Sequence, residues 1–255
     1  MKYWMLTALM CLAGCSAHSV ERSKPDEAYQ SSMATGRSAF ELGHPEEAER
    51  QYKRAFERAL LRDDAQALHD AGFNLATAQL EQQHTNDVQK TLDRVQAALS
   101  LRGEPEVGDL KLIRSAAFLR QNLPSNALRQ AREAQAEVSS ADRTQAAYLI
   151  GRAAFDLRDG ATLSEAVISS CKGAESALPS ADCTELKARQ ALLSGQAGEA
   201  LKLALVVVGQ RRDARDYVSM REALALAASS AMRDGRGQEA ASLRARLHDS
   251  AEVLR

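Results

Sequence analysis

Four cysteines are the residues of this chain best suited to covalent chemistry, and they fall into two groups: Cys11 and Cys15 near the start, Cys171 and Cys183 in the body. Neither pair has the Cys-x-x-Cys spacing of a redox motif. The chain also lacks a Gly-x-Ser-x-Gly nucleophile turn, a phosphate-binding glycine loop, a His-Glu-x-x-His zinc motif and a dinucleotide fingerprint. Glu46-Glu47 and Asp63-Asp64 are adjacent acid pairs, but neighbouring positions on a helix diverge by about 100° and do not converge on one substrate. They read as a helix start and a solvated connection. His69 and His84 each have an acid nearby, and His18 stands alone. None forms the set of several ligands in fixed geometry that a metal requires. The expectation is no metal, no cofactor and no enzymatic activity.

The elements that carry these residues must be helices. Acids and bases nearly balance, 34 against 33, for a net charge of -1. That excludes the basic excess of a nucleic-acid binder. Hydrophobic residues make up 45% of the chain and aromatics only 4%. Ala, Leu, Arg, Glu and Gln dominate, which are strong helix formers, and strand-like Val/Ile runs are nearly absent.

The first residues, MKYWMLTALMCLAGC, place Lys2 before an apolar run from Tyr3 to Gly14. A membrane span needs about 20 apolar residues, so the run reads as the core of a signal peptide that spans 1–14. Leu12-Ala13-Gly14-Cys15 resembles the lipobox of bacterial lipoproteins. The resemblance implies diacylglycerol on the Cys15 thiol, cleavage before it and acylation of the new amino terminus. More than one chain is needed for stable anchoring, since a single chain gives only marginal binding. Ser16 stands where an aspartate would, by the same resemblance, favour the inner membrane, so the expected place is the periplasmic face of the outer membrane. Residues 15–27 are polar, include Pro25, and read as a flexible tether from Cys15.

From 28 to 255 the chain reads as helical hairpins. Gly36, Ala48, Tyr52 and Ala55 have hairpin spacing, with Gly43-His44-Pro45 as the turn. Pro45 suits a first helical position, and Glu46 and Glu47 follow at the positive end of the helix. Small residue, turn, Ala, aromatic, Ala at this spacing is similar to the tetratricopeptide repeat (TPR), a helix–turn–helix unit. With Ala48 as anchor, the counterparts are Val88, Ala127, Ala166, Ala200 and Ala240. Gly36-Arg-Ser-Ala-Phe-Glu-Leu42 also repeats as Gly151-Arg-Ala-Ala-Phe-Asp-Leu157. The expected fold is all-α, a TPR-like α-solenoid of about six hairpins, and the resemblance implies a right-handed superhelix. In the second unit Gly72 and Ala76 compete for the small position. In the fourth, Arg158 to Thr162 reads as an insertion that lengthens the turn. The last helix, with its polar outer face, reads as a cap.

With Cys11 lost and Cys15 lipidated, Cys171 and Cys183 remain in a compartment that permits disulfides. Adjacent antiparallel helices can bring them within reach, which leaves a disulfide or two free thiols. Arg37, Arg152 and Arg189 each follow the small residue of their helix. In the TPR family that position tends toward the concave groove, where peptides or partner helices bind. Such a row can grip carboxylates bidentately, or its stems can simply cover apolar surface. The resemblance implies a lipid-anchored periplasmic scaffold for a protein or peptide partner in envelope assembly, whether barrel, pilus, secretin or cell-wall machinery. The alternative is a periplasmic binding module for a small ligand such as a glycan or peptide fragment. A thiol enzyme hidden in a helical fold is a third possibility, with Cys171 or Cys183 as its mark.

Overall fold

A computed structural model describes residues 26–105, 107–139, 142–172 and 180–252. Twelve helices and no strand occur among them: α1 (Glu27–Glu41), α2 (Pro45–Arg62), α3 (Ala65–Glu81), α4 (Thr85–Ser100), α5 (Gly108–Arg120), α6 (Pro124–Glu137), α7 (Asp142–Asp156), α8 (Gly160–Ser170), α9 (Ala181–Leu193), α10 (Ala197–Asp213), α11 (Tyr217–Arg233) and α12 (Gly237–Glu252). Each helix packs on the next in the chain, and this builds an α-solenoid of six hairpins, each an A helix followed by a B helix. Residues 1–25, where the sequence places a signal peptide, the lipidated Cys15 and nearly all of a tether, lie outside the described residues.

All six hairpins turn in the same way. Three residues separate the helices every time, and the middle one has positive φ: Gly43 (77°), Gln83 (61°), Asn122 (58°), Arg158 (58°), Gly195 (80°) and Gly235 (77°). The residue after it donates its backbone N–H back to the last turn of the first helix, as in His44 to the Ala39 carbonyl at 2.9 Å and Asp159 to the Ala154 carbonyl at 2.8 Å. This pairing satisfies carbonyls that a helix end would leave bare. Arg158 is therefore the centre of an ordinary turn. The expected insertion from Arg158 to Thr162 does not exist, because Gly160 and Thr162 already belong to α8.

That correction moves the fourth anchor. The fourth residue of each B helix is Ala48, Val88, Ala127, Leu163, Ala200 and Ala240, and all six are fully buried. Leu163, not Ala166, is the equivalent position. Small residues stand twelve positions earlier in every unit: Gly36, Ala76, Ser115, Gly151, Ala188 and Ala228. Ala76 thus takes the small position of the second unit. Gly72 makes a second close approach one helical turn away, against the Val95 side chain. These residues are small because the two helices meet there. A Cβ on Gly36 would lie 2.8 Å from the Tyr52 ring of α2, and one on Gly151 would lie 3.1 Å from the Ala166 Cβ of α8 and 2.7 Å from Leu186 of the next unit's α9.

Helix starts follow local chemistry. The side chains of Asp26, Asp64, Asp159, Ser180 and Asp216 each accept the N–H of the residue three positions on, and Pro45 and Pro124 sit in first turns. Buried apolar side chains form three clusters along the solenoid. Consecutive helices pack most thinly at the seams between α4 and α5 and between α8 and α9.

Candidate partner-binding inner face

Odd-numbered helices pack on one another as well as on their hairpin partners: α3 on α5, α5 on α7, α7 on α9, and more sparingly α9 on α11. They form the inner layer, the surface a partner of such a solenoid would enter.

At its first end this layer is apolar and aromatic. Tyr29, Met33 and Phe40 on α1 and Phe73 and Leu80 on α3 are half-buried against the first core cluster. Arg37 is exposed in their midst, and its charge acts on the Tyr52 phenol. A pocket of about 310 Å³ opens beside Tyr29, lined by Asp26, Arg62, Asp64 and Asp70 among others. Next to it His69 is held by two carboxylates, with Nδ1 3.1 Å from Asp70 and Nε2 3.1 Å from Asp109 of α5. The hydrogen bond to Asp109, opposed by burial and helped by Asp70, raises its pKa to about 9. The ring is an imidazolium at neutral pH, and both N–H groups are used. Among the described residues no three metal-ligating side chains converge.

The other end is charged and closed. Glu185 of α9 is fully buried. It accepts from Arg189 at 2.8 Å and from the Tyr148 hydroxyl at 2.9 Å, with Arg152 and Arg211 each 3.5 Å away. Burial alone would push this carboxyl up, but Arg189, Arg152 and Arg211 together hold it at about 2. Arg152 also donates to Glu222 of α11 at 2.7 Å, and Arg211 pairs with Asp182 and Asp216. The guanidinium groups of Arg152 and Arg211 lie over the Tyr148 ring, and that of Arg189 lies over Phe155. Burial raises Asp182 against the pull of Arg211.

The three arginines singled out by spacing therefore part company. Arg152 and Arg189 meet around Glu185, whereas Arg37 stands exposed on α1. Sequence reasoning missed Tyr148, Glu185, Arg211 and Glu222. One signal was available, because Glu185 precedes Arg189 by four positions, a spacing that pairs on a helix. The meeting of α7, α9 and α11 had no local signal. The thiols of Cys171 and Cys183 form a disulfide, with Cα atoms 5.1 Å apart, tying the end of α8 to the first turn of α9. Cys15 lies outside the described residues.

Comparison with solved structures finds the same fold. A tetratricopeptide repeat protein from Parabacteroides merdae superposes with a TM-score of 0.56 over 88% of this chain and 80% of its own, at 15% identity. The fold is a TPR-like α-solenoid. A complex of the TPR2AB domain of yeast Sti1 with pHSP90 matches 88% of this chain and 98% of that one, at 15% identity and a TM-score of 0.38, too low to argue from. No family model matches the chain, and no curated protein does.

Proposed function

We propose that this chain is a non-enzymatic scaffold, anchored by lipid on Cys15 to the periplasmic face of an outer membrane, that holds a protein or peptide partner during envelope assembly. The observation that carries the reading is the contrast within the inner layer. Its first two units leave Tyr29, Met33, Phe40 and Phe73 half-buried beside the exposed Arg37, a surface with apolar anchors and a charge for orientation. Arginine is enriched at such interfaces because it combines packing with bidentate hydrogen bonding. Arg37 is the arginine to which a partner carboxylate has access. Arg152 and Arg189 act in binding only through the carboxylates that already hold them.

The disulfide supports an oxidising compartment. No described helix is long and apolar enough to cross a membrane, so attachment in this reading rests on the lipid. The test has two arms. A photo-crosslinking amino acid at position 37 or 73 in cells should capture one reproducible protein, and one at exposed Ile168 of α8 should not. Radiolabelled palmitate should enter the wild-type chain and not Cys15→Ser. Capture of a glycan, or of nothing, from position 37 would overturn the scaffold reading; labelling of Cys15→Ser would overturn the anchor.

A further inference from the structure

The two most exposed large apolar side chains among the described residues are Leu61, 79% exposed, and Leu101, 87%. They occupy one place in the repeat. Each stands thirteen positions after the anchor of its B helix, Ala48 or Val88, where α2 and α4 end. Leu60 and Leu99 pack on the first core cluster, and about 100° of rotation per residue turns Leu61 and Leu101 away from it. The connection after Leu101 also exposes Val107. In the fifth unit the same count from Ala200 reaches the charged Asp213. Neither leucine contributes to the core.

The chain enters the solenoid at the same edge. Asp26 caps α1 and accepts from Arg58 of α2 at 2.7 Å, with Arg62 3.6 Å away, so the start of α1 lies against the end of α2. Arg102, just past α4, pairs with Asp63 at the end of α2. Asp26, Leu61 and Leu101 therefore share one edge. Eleven positions separate Asp26 from Cys15, a length that spans at most about 40 Å. Leu42, 73% exposed, lies in the first turn at the opposite edge. It is farther from Asp26 by the 18 residues of α2, about 27 Å.

We propose that this edge of the first two units lies on the membrane, with Leu61 and Leu101 set among the lipid headgroups and the first acyl carbons. The proposal rests on the reading of Cys15 as lipidated. Acyl chains there hold the edge close to the bilayer, and a tethered surface meets lipid at a high effective concentration. Interfacial apolar side chains leave water at the boundary of headgroups and acyl chains. A leucine projecting from a helix end reaches that boundary without burying helix backbone. The first two units then stand on their helix ends. Arg37, ten positions along α1 from Glu27, is held about 15 Å above the edge.

The test is fluorescence at the edge. The only tryptophan, Trp4, lies in the signal, so a single introduced tryptophan in the lipidated chain reports its own surroundings. Leu61→Trp, Leu101→Trp, Leu42→Trp and Ile168→Trp are each expressed as the full chain, purified with the lipid attached and reconstituted in vesicles of phosphatidylethanolamine and phosphatidylglycerol. Brominated acyl chains should quench Leu61→Trp and Leu101→Trp, and their emission should shift to the blue. Leu42→Trp and Ile168→Trp should emit as in water. Vesicle flotation and palmitate labelling are read on the same proteins. Flotation with no quenching at 61 and 101 overturns the membrane edge and leaves the anchor standing. Equal quenching at 42 overturns it too, whereas a wild type without palmitate overturns both. A photo-crosslinking residue at 61 that captures a protein in cells would make this a protein-docking edge and overturn the proposal.

Discussion

The solenoid has two thin seams, and they are closed by different means. At the first seam the buried cluster of α1–α4 continues into Leu110, Ile113 and Ala117 of α5, and the polar contacts laid over it are partly wet. From α4, Gln89 and the largely exposed Asp93 meet Arg114 of α5, and from α3, His69 reaches Asp109 and the Leu80 carbonyl accepts from Arg120, both of α5. Between α8 and α9 there is a disulfide, a hydrogen bond from Gln190 to Ser164 at 2.9 Å, and Glu185 buried among arginines from α7, α9 and α10. The polar contacts of the first seam can break singly. The second relies on a cross-link and on a charge that cannot lose one partner cheaply. The same repeat can therefore close one seam with separate polar contacts over its core and another with a cross-link and a buried charge.

The sharpest way to break this contrast is Glu185→Gln. Removing the anion leaves three buried guanidinium groups facing one another, and disrupting a buried ion pair from one side costs about 3–5 kcal/mol. The urea midpoint should fall accordingly, and amides of α9 should lose hydrogen-exchange protection before those of α5. Next in size, the double variant Cys171→Ser/Cys183→Ser should lose about 3 kcal/mol, the amount associated with a short loop. If α9 amides stay protected in that variant, the second seam rests on the ion cluster rather than on the covalent link.

His69 offers a test of the first seam by pH. Its folded pKa of about 9 lies above the ordinary 6.5. The stability it contributes is therefore complete below pH 6.5 and is lost as pH rises through 9. Allowing for solvent screening, the wild type should lose about 1 kcal/mol relative to His69→Gln between pH 6 and pH 10. Parallel curves for the two proteins would remove His69 from the account.

Most of the fold was readable from spacing. The all-helical class and the hairpin count follow from the small-residue and anchor pattern, and five of the six anchors stand where periodicity put them. The fourth slipped because Arg158 fills a left-handed turn that three other units give to glycine, so the turn looked too long and Ala166 was taken for Leu163. The inner face was harder to read. Arg37 and Arg152 occupy one repeat position, yet only Arg152 has Glu185 and Glu222 beside it. Spacing along a helix fixes where a side chain starts, but not which acid from two units away arrives to meet it. The disulfide was open as one of two outcomes, since bridging depends on how α8 and α9 are set together.

The smallest predicted effect returns to that turn. A left-handed backbone costs a residue with a Cβ about 1–2 kcal/mol, and part of that returns as unfolded-state entropy when glycine is introduced. Arg158→Gly should stabilise the chain by about 0.5 kcal/mol, visible as a higher urea midpoint, with both seams unchanged.

The uniform turn has a wider consequence. Each of the six demands the same backbone shape, yet a glycine, an asparagine, a glutamine or an arginine can provide it at small cost. The burden is divided among turns that never touch, so no single substitution threatens the whole. A chain assembled in this way can exchange nearly every letter of its motif, one unit at a time, while its shape persists. Likeness in three dimensions then outlasts likeness in sequence, which is how a chain with 15% identity to a solved neighbour still retraces most of its path.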